Sequence, residues 1–207
     1  MATEKKGSSD SESGRTVSQL IEAVEKSREF SEWRKTNGTA YLSSLFVMVK
    51  DIARLEGEGG NSNEWLLSYY DKEDDTFTTF SSLGSQMGTK EQAFKKGKTL
   101  PELKAYAVKV QIWDSVKAAE QVRNSKYKGE EASSLIAILQ PLTESEIFDS
   151  VAGTTAKERK NKSPKPVWNL TYITASYNIL NIKIDAETGE VLSDRMSGVM
   201  DFMQKDK

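Results

Sequence analysis

The sequence predicts an α+β protein made of two αβββ units, each a helix packed on a short antiparallel sheet. Three observations predict it. Apolar residues alternate with polar ones along residues 168–172 and 180–184. Apolar residues recur at helical spacing along residues 17–24. The order helix, strand, strand, strand can be read twice along the chain. Period two marks a strand with one buried and one wet face, whereas spacings of three and four mark one face of a helix.

In chain order, residues 1–15 are Ser, Gly and charged residues with nothing to bury, and read as a disordered tail. Thr16-Val17-Ser18-Gln19 fits a capping box, with Thr at the N-cap and Gln three positions later. Val17, Leu20, Ile21 and Val24 follow on one helical face. Phe30 and Trp33 anchor the end of this helix, and Asn37-Gly38 stops it. Residues 41–50 read as a strand whose continuous apolar run points to cover on both faces or to a central position. Residues 51–63 form a loop. Residues 64–70 make the next strand, Asp71 to Asp75 a polar hairpin loop, and residues 76–81 the returning strand.

Residues 83–100, rich in Ser, Gly, Gln and Lys, read as a linker. Residues 101–109 lead into the second unit. Asp114 caps a helix that runs to about Tyr127, with Val116, Ala119 and Val122 turned inward and Gly129 ending it. Residues 133–139 are a strand closed by Pro141, and residues 141–166 are a long insertion with a short helix from Glu144. Trp168, Leu170 and Tyr172 then share one face of a strand. Leu180, Ile182 and Ile184 share one face of its partner, with Asn181 and Lys183 on the other. Residues 175–178 form the hairpin loop, and Thr188-Gly189 a second turn that accepts positive φ.

The domain organisation expected is therefore a tail at 1–15, a first unit at 16–82, a linker at 83–100, a second unit at 101–197 carrying the loop 141–166, and a tail at 198–207. The halves correspond in two places. Residues 43–49 parallel residues 133–139, and Trp65-x-Leu67-x-Tyr69 parallels Trp168-x-Leu170-x-Tyr172.

The second half carries a resemblance. The run Trp168-x-Leu170-x-Tyr172, a gap, then Ile182-x-Ile184-Asp185-Ala186-Glu187-Thr188-Gly189-Glu190-Val191-Leu192 is similar to the C-terminal hairpin of PepSY domains. The resemblance covers about residues 110–195, and the Asp-Ala-x-Thr-Gly-Glu-Val segment is its most specific part. The first half lacks that turn. What the resemblance implies is a broadly cystatin-like helix-on-sheet module, and a role in binding peptides or peptidases.

Composition narrows the chemistry. The 207 residues are 37% apolar and 29% charged, with net charge −2. This suits a globular core under a charged surface, with no global pull toward nucleic acid or anionic membrane. There are no cysteines and no histidines. The commonest general base and the usual zinc ligands are absent, which points away from hydrolases and transition-metal enzymes. No cofactor is expected. The N-terminus has no apolar signal core, and no apolar run approaches the roughly 20 residues needed to cross a bilayer. A cytoplasmic, non-membrane protein is expected.

Among candidate sites, Asp71, Asp74 and Asp75 lack EF-hand spacing and read as a solvated hairpin tip. Gly57-Glu58-Gly59-Gly60 has no Gly-Lys-Ser/Thr ending and places acid where phosphate would sit. Lys157, Arg159, Lys160, Lys162 and Lys165, opposed only by Glu158, are the partner-contact residues selected. The function expected is a non-enzymatic interaction module for a protein or peptide partner. The alternative is an RNA- or ribosome-associated factor docking through residues 157–165.

Overall fold

The computed structural model describes residues 15–50, 52, 63–83, 88, 91–92, 99–148 and 163–198. Two helices open the described chain, α1 (Val17–Glu25) and α2 (Arg28–Arg34). The capping box is present: the Thr16 hydroxyl accepts from the Gln19 amide at 3.2 Å, and the Gln19 carbonyl oxygen accepts from the Thr16 amide at 2.8 Å. A single helix through Trp33 was expected. Instead the Ser27 side chain accepts from the Phe30 amide and starts α2 afresh, which turns Phe30 and Trp33 onto the sheet.

The strands are β1 (Tyr41–Val49), β2 (Trp65–Asp71), β3 (Thr76–Ser81), β4 (Glu91–Gln92), β5 (Ala132–Leu142), β6 (Lys165–Thr174), β7 (Asn178–Asp185) and β8 (Val191–Gly198). The longest helix, α3 (Ile112–Lys126), lies between β4 and β5, and the short α4 (Glu144–Phe148) follows β5. The fold is α+β. Every strand pairing is antiparallel, in the order β4-β3-β2-β1-β5-β6-β7-β8.

Two short sheets were expected, and the structure has one. The apolar runs of β1 and β5 are hydrogen-bonded side by side, with Leu45 opposite Leu139 and Val49 opposite Leu135. Both runs are apolar at successive positions, as expected of strands at the centre of a sheet, and burial along them still alternates between the two faces. The meander β3-β2-β1 thus meets the meander β5-β6-β7 at a central seam. Trp65 and Trp168 touch near that seam, their ring centroids 6.2 Å apart.

Helices α1, α2 and α3 share the large core with one face of the sheet, among Leu45, Leu67, Leu135, Trp168, Leu170 and Ile182. In the first half the core is aromatic. Phe30, Trp33, Tyr69 and Phe80 meet with centroid separations of 4.8–5.7 Å.

Several expectations are corrected. Asp114 lies in the first turn of α3, whose N-cap is Gln111. Pro141 lies inside β5, opposite Pro166, and past Leu139, the last β5 residue paired with β1. With a single ladder partner there, β5 tolerates the missing N–H. The segment 83–100, taken as a linker, contributes β4, paired through Thr76 and Phe77. The chain after residue 191 forms β8, an unforeseen edge strand whose sequence Val-Leu-Ser-Asp-Arg-Met-Ser-Gly does not alternate cleanly.

The largest correction concerns Lys183 and the insertion. Period two places Lys183 on a wet face, yet only 5% of it is exposed. Helix α4 covers it, and its amine donates to the carbonyls of Glu146 and Ile147, each at 2.8 Å. Ile147 packs with Leu142 and Val167 into a second small core on that reverse face. The insertion, expected to bury little, is anchored at its start.

Two strand tyrosines, Tyr69 of β2 and Tyr172 of β6, differ in their hydroxyls. Tyr69 donates to Glu25 at 3.0 Å. Tyr172 is fully buried, and among the described residues its hydroxyl has no partner, nor do Ser115 Oγ and Arg123 Nε. An unpaired buried hydroxyl costs free energy. Tyr172→Phe is therefore expected to leave stability unchanged or raise it by up to about 1 kcal/mol, whereas Tyr69→Phe lowers it by about 0.5–1.5 kcal/mol. Parallel urea melts check the pair. A loss at Tyr172 as large as that at Tyr69 would contradict the assignment.

Candidate binding cleft

An open cleft of about 630 Å³ lies where α1 and the end of α2 meet the start of β1 and the segment 102–106. Its position follows from local bonds. The Tyr41 hydroxyl donates to the Leu100 carbonyl at 2.6 Å, and the Leu103 amide donates to the Leu42 carbonyl at 2.8 Å. These ties hold residues 100–103 against the first turn of β1. A short 3-10 turn, Ala105–Ala107, then carries Tyr106 outward, 72% exposed.

The walls carry both charges. Glu25 comes from α1 and Glu102 from the segment beside β1, while Arg34 and Lys104 bring positive charge. Arg34 is fixed in place. Its guanidinium donates to the carbonyls of Asn37 and Ala40, and its carbon lies 5.0 Å from the Phe30 ring centroid and 5.7 Å from that of Tyr69. Burial first, and the charge and hydrogen bond of Glu25 second, push the Tyr69 phenol well above its ordinary value. Tyr41 is raised as well, by burial and then by the negative charge of Glu102. Both phenols therefore stay protonated donors near neutral pH. The Lys104 amine stands 6.0 Å from the Tyr106 ring centroid, at the solvent lip. The cleft offers an aromatic lip, fixed hydrogen-bonding groups and charges of both signs.

Sequence reasoning missed this site. Its walls come from segments far apart along the chain. No local signal marks it: Tyr106 stands two residues before Val108 and four before Val110, the spacing of an ordinary strand face.

The selected basic residues fare differently. Lys157, Arg159, Lys160 and Lys162 lie outside the described residues. Lys165 is the first residue of β6, and its amine meets Asp185 Oδ2 at 2.7 Å. Burial raises the Asp185 carboxyl, but the Lys165 hydrogen bond and the amides of Glu187 and Thr188 outweigh it, so the net shift is downward. Lys165 thus secures the 185–190 turn. The acidic hairpin is likewise used locally: Asp71 Oδ1 accepts from the Glu73 amide at 2.9 Å, and Asp75 Oδ1 from the Tyr70 hydroxyl at 2.7 Å. Among the described residues, no three Asp or Glu side chains converge on a point that would hold a metal ion. No described helix is long and apolar enough to cross a membrane.

No family model matches the chain, and no curated protein matches it. A solved structure from Clostridium difficile 630, described as "a putative lipoprotein", is similar to it at 10% identity and a TM-score of 0.46, covering 94% of this chain and 100% of that one.

Proposed function

We propose that the protein is a non-enzymatic binding module whose cleft beside Tyr106 takes an extended segment of a partner protein or peptide. The observation that carries the reading is the cleft itself: open, lipped by an exposed tyrosine, and walled by both signs of charge. An extended peptide presents N–H donors, C=O acceptors and side chains together, and such walls can meet all three. The cleft's innermost polar side chains already have partners within the fold. Tyr69 is bonded to Glu25, and Arg34 to backbone carbonyls, which suits recognition rather than turnover. The resemblance to PepSY domains, with its implied peptide or peptidase binding, points the same way.

We also propose that the halves are repeats of one αβββ unit. The Trp-x-Leu-x-Tyr strands support it: each is the second strand of its meander, and the register of Trp168 opposite Leu139 differs by two residues from that of Trp65 opposite Val47. The following turns support it too, each closing on a non-glycine residue with positive φ, Asp75 at 53° and Tyr177 at 60°.

Selection of a random-peptide phage library on the immobilised chain tests the binding reading. Enriched peptides are expected to lose at least about tenfold in affinity on Tyr106→Ala, equivalent to about 1.4 kcal/mol. That substitution should leave the melting temperature unchanged because the side chain is largely exposed. Equal binding to wild type and Tyr106→Ala would remove the cleft from consideration.

A further inference from the structure

We infer that Arg34 determines the specificity of the cleft by taking a carboxylate of the bound segment, either an Asp or Glu side chain or a free C-terminus. The inference rests on the peptide-binding reading above and names the chemistry that the peptide must carry. Arg34 is the last residue of α2 and stands half-buried in the cleft wall. Its Nη1 donates to the Ala40 carbonyl and, at 3.3 Å, to the Asn37 carbonyl. Its Nε and Nη2 donate to no atom among the described residues. Neither nitrogen is sealed from solvent, since the buried unpaired side-chain atoms of the described residues are Ser115 Oγ, Arg123 Nε and the Tyr172 hydroxyl. No Asp or Glu among the described residues comes within ion-pair distance of Arg34.

The guanidinium is planar and rigid, so fixing Nη1 also fixes the direction of the Nε and Nη2 hydrogens. Those two edges form the parallel donor pair that a carboxylate accepts with both oxygens. The seat is aromatic. The guanidinium carbon lies 5.0 Å from the ring centroid of Phe30, 5.3 Å from that of Trp33 and 5.7 Å from that of Tyr69. These rings favour the cation where it stands. The chain therefore holds the donors in one orientation before any ligand arrives, and binding loses little side-chain entropy. A half-buried cation without a counter-ion has also lost part of its hydration, and an arriving carboxylate offsets that loss.

The neighbouring charges restrict the anion. Glu25 and Glu102 stand in the same walls, and Glu25 Oε1 accepts from the Tyr69 hydroxyl at 3.0 Å. Both acids oppose a phosphate dianion or a run of acidic residues, whereas one carboxylate brings a single charge to a single guanidinium. Lys104, beside Tyr106 at the lip, adds a second positive charge.

Affinity selection of a random hexapeptide library on the immobilised chain, read by mass spectrometry, tests the inference. The library is made in two forms, one with a free C-terminal carboxylate and one with a C-terminal amide. Retention of the free form alone assigns the carboxylate to the C-terminus. Retention of amidated peptides that share one Asp or Glu at a fixed position assigns it to a side chain. In either case, replacing that carboxylate by its amide is expected to weaken binding at least about tenfold. Arg34→Gln is expected to erase the difference between carboxylate and amide. Arg34→Lys, which keeps the charge without the paired donors, is expected to retain only part of it. Circular dichroism melts verify that each variant is folded, and the change in the peptide needs no variant of the protein. Peptides that depend on Tyr106 but bind equally well as carboxylate and amide would overturn this inference and leave the cleft reading standing. A folded Arg34→Gln that still prefers the carboxylate would do the same. A wild type that retains no peptide, or none better than Tyr106→Ala does, overturns the cleft reading and this inference with it.

Discussion

Replacing Trp168 by alanine is expected to lower the free energy of unfolding by about 3–5 kcal/mol, the range for large aromatic truncations in a packed core. Trp168 is fully buried on β6, beside the seam that joins the two halves. Its indole N–H donates to the Val110 carbonyl at 2.8 Å. Val110 in turn donates its amide to the Ala186 carbonyl at 2.9 Å, so the ring ties the approach to α3 to the 185–190 turn. Alanine leaves a cavity, strips the contact with Trp65, and takes the donor from the part-buried Val110 carbonyl. For a chain of this size, 1 kcal/mol corresponds to roughly 2–4 °C, so the melting point should fall by roughly 10 °C. Urea unfolding followed by circular dichroism reads the effect. A change below about 1 kcal/mol would mean that the sheet closes over the gap and that this residue is no anchor.

The second large effect is expected at Lys183. Lys183→Ala is predicted to cost about 2–3 kcal/mol, since hydrogen bonds from a charged donor contribute about 1.5–3 kcal/mol and unpaired buried acceptors cost a similar amount. Its amine meets two carbonyls at the end of α4, and that helix covers Val167 and the inner side of the sheet edge. Without the amine, α4 has less to hold it down. Hydrogen exchange should quicken at Ile147 and along β7 and β8 before it quickens in β1 or β2. Lys183→Met separates the contributions, because it keeps the apolar stem and removes only the donor. If Lys183→Met is as stable as wild type, the amine contributes nothing and packing of the stem alone secures the helix.

The same residue shows where sequence reading stops. Alternation assigned Lys183 to solvent because period two reports only that two faces differ. Which face is covered depends on what else reaches it, here a helix that begins two residues after β5 ends. The cleft was invisible for a related reason: Glu25, Arg34 and Glu102 become neighbours only through the ties from Tyr41 and Leu103.

By itself the sequence determined the local structure. The Thr16–Gln19 box, the apolar face of α1, the two hairpins and the burial of Trp65 and Trp168 all follow from interactions spanning a few residues, or from a period the chain displays directly. It also determined the α+β class and the absence of cysteine and histidine chemistry. The tertiary structure alone decided that the two meanders share one sheet, that α4 closes part of its reverse face, and that the walls of the cleft converge. Each of these is a pairing between distant surfaces. Apolar pattern says that β1 and β5 must be covered, but hydrophobic burial is non-directional, and the pattern does not say by what.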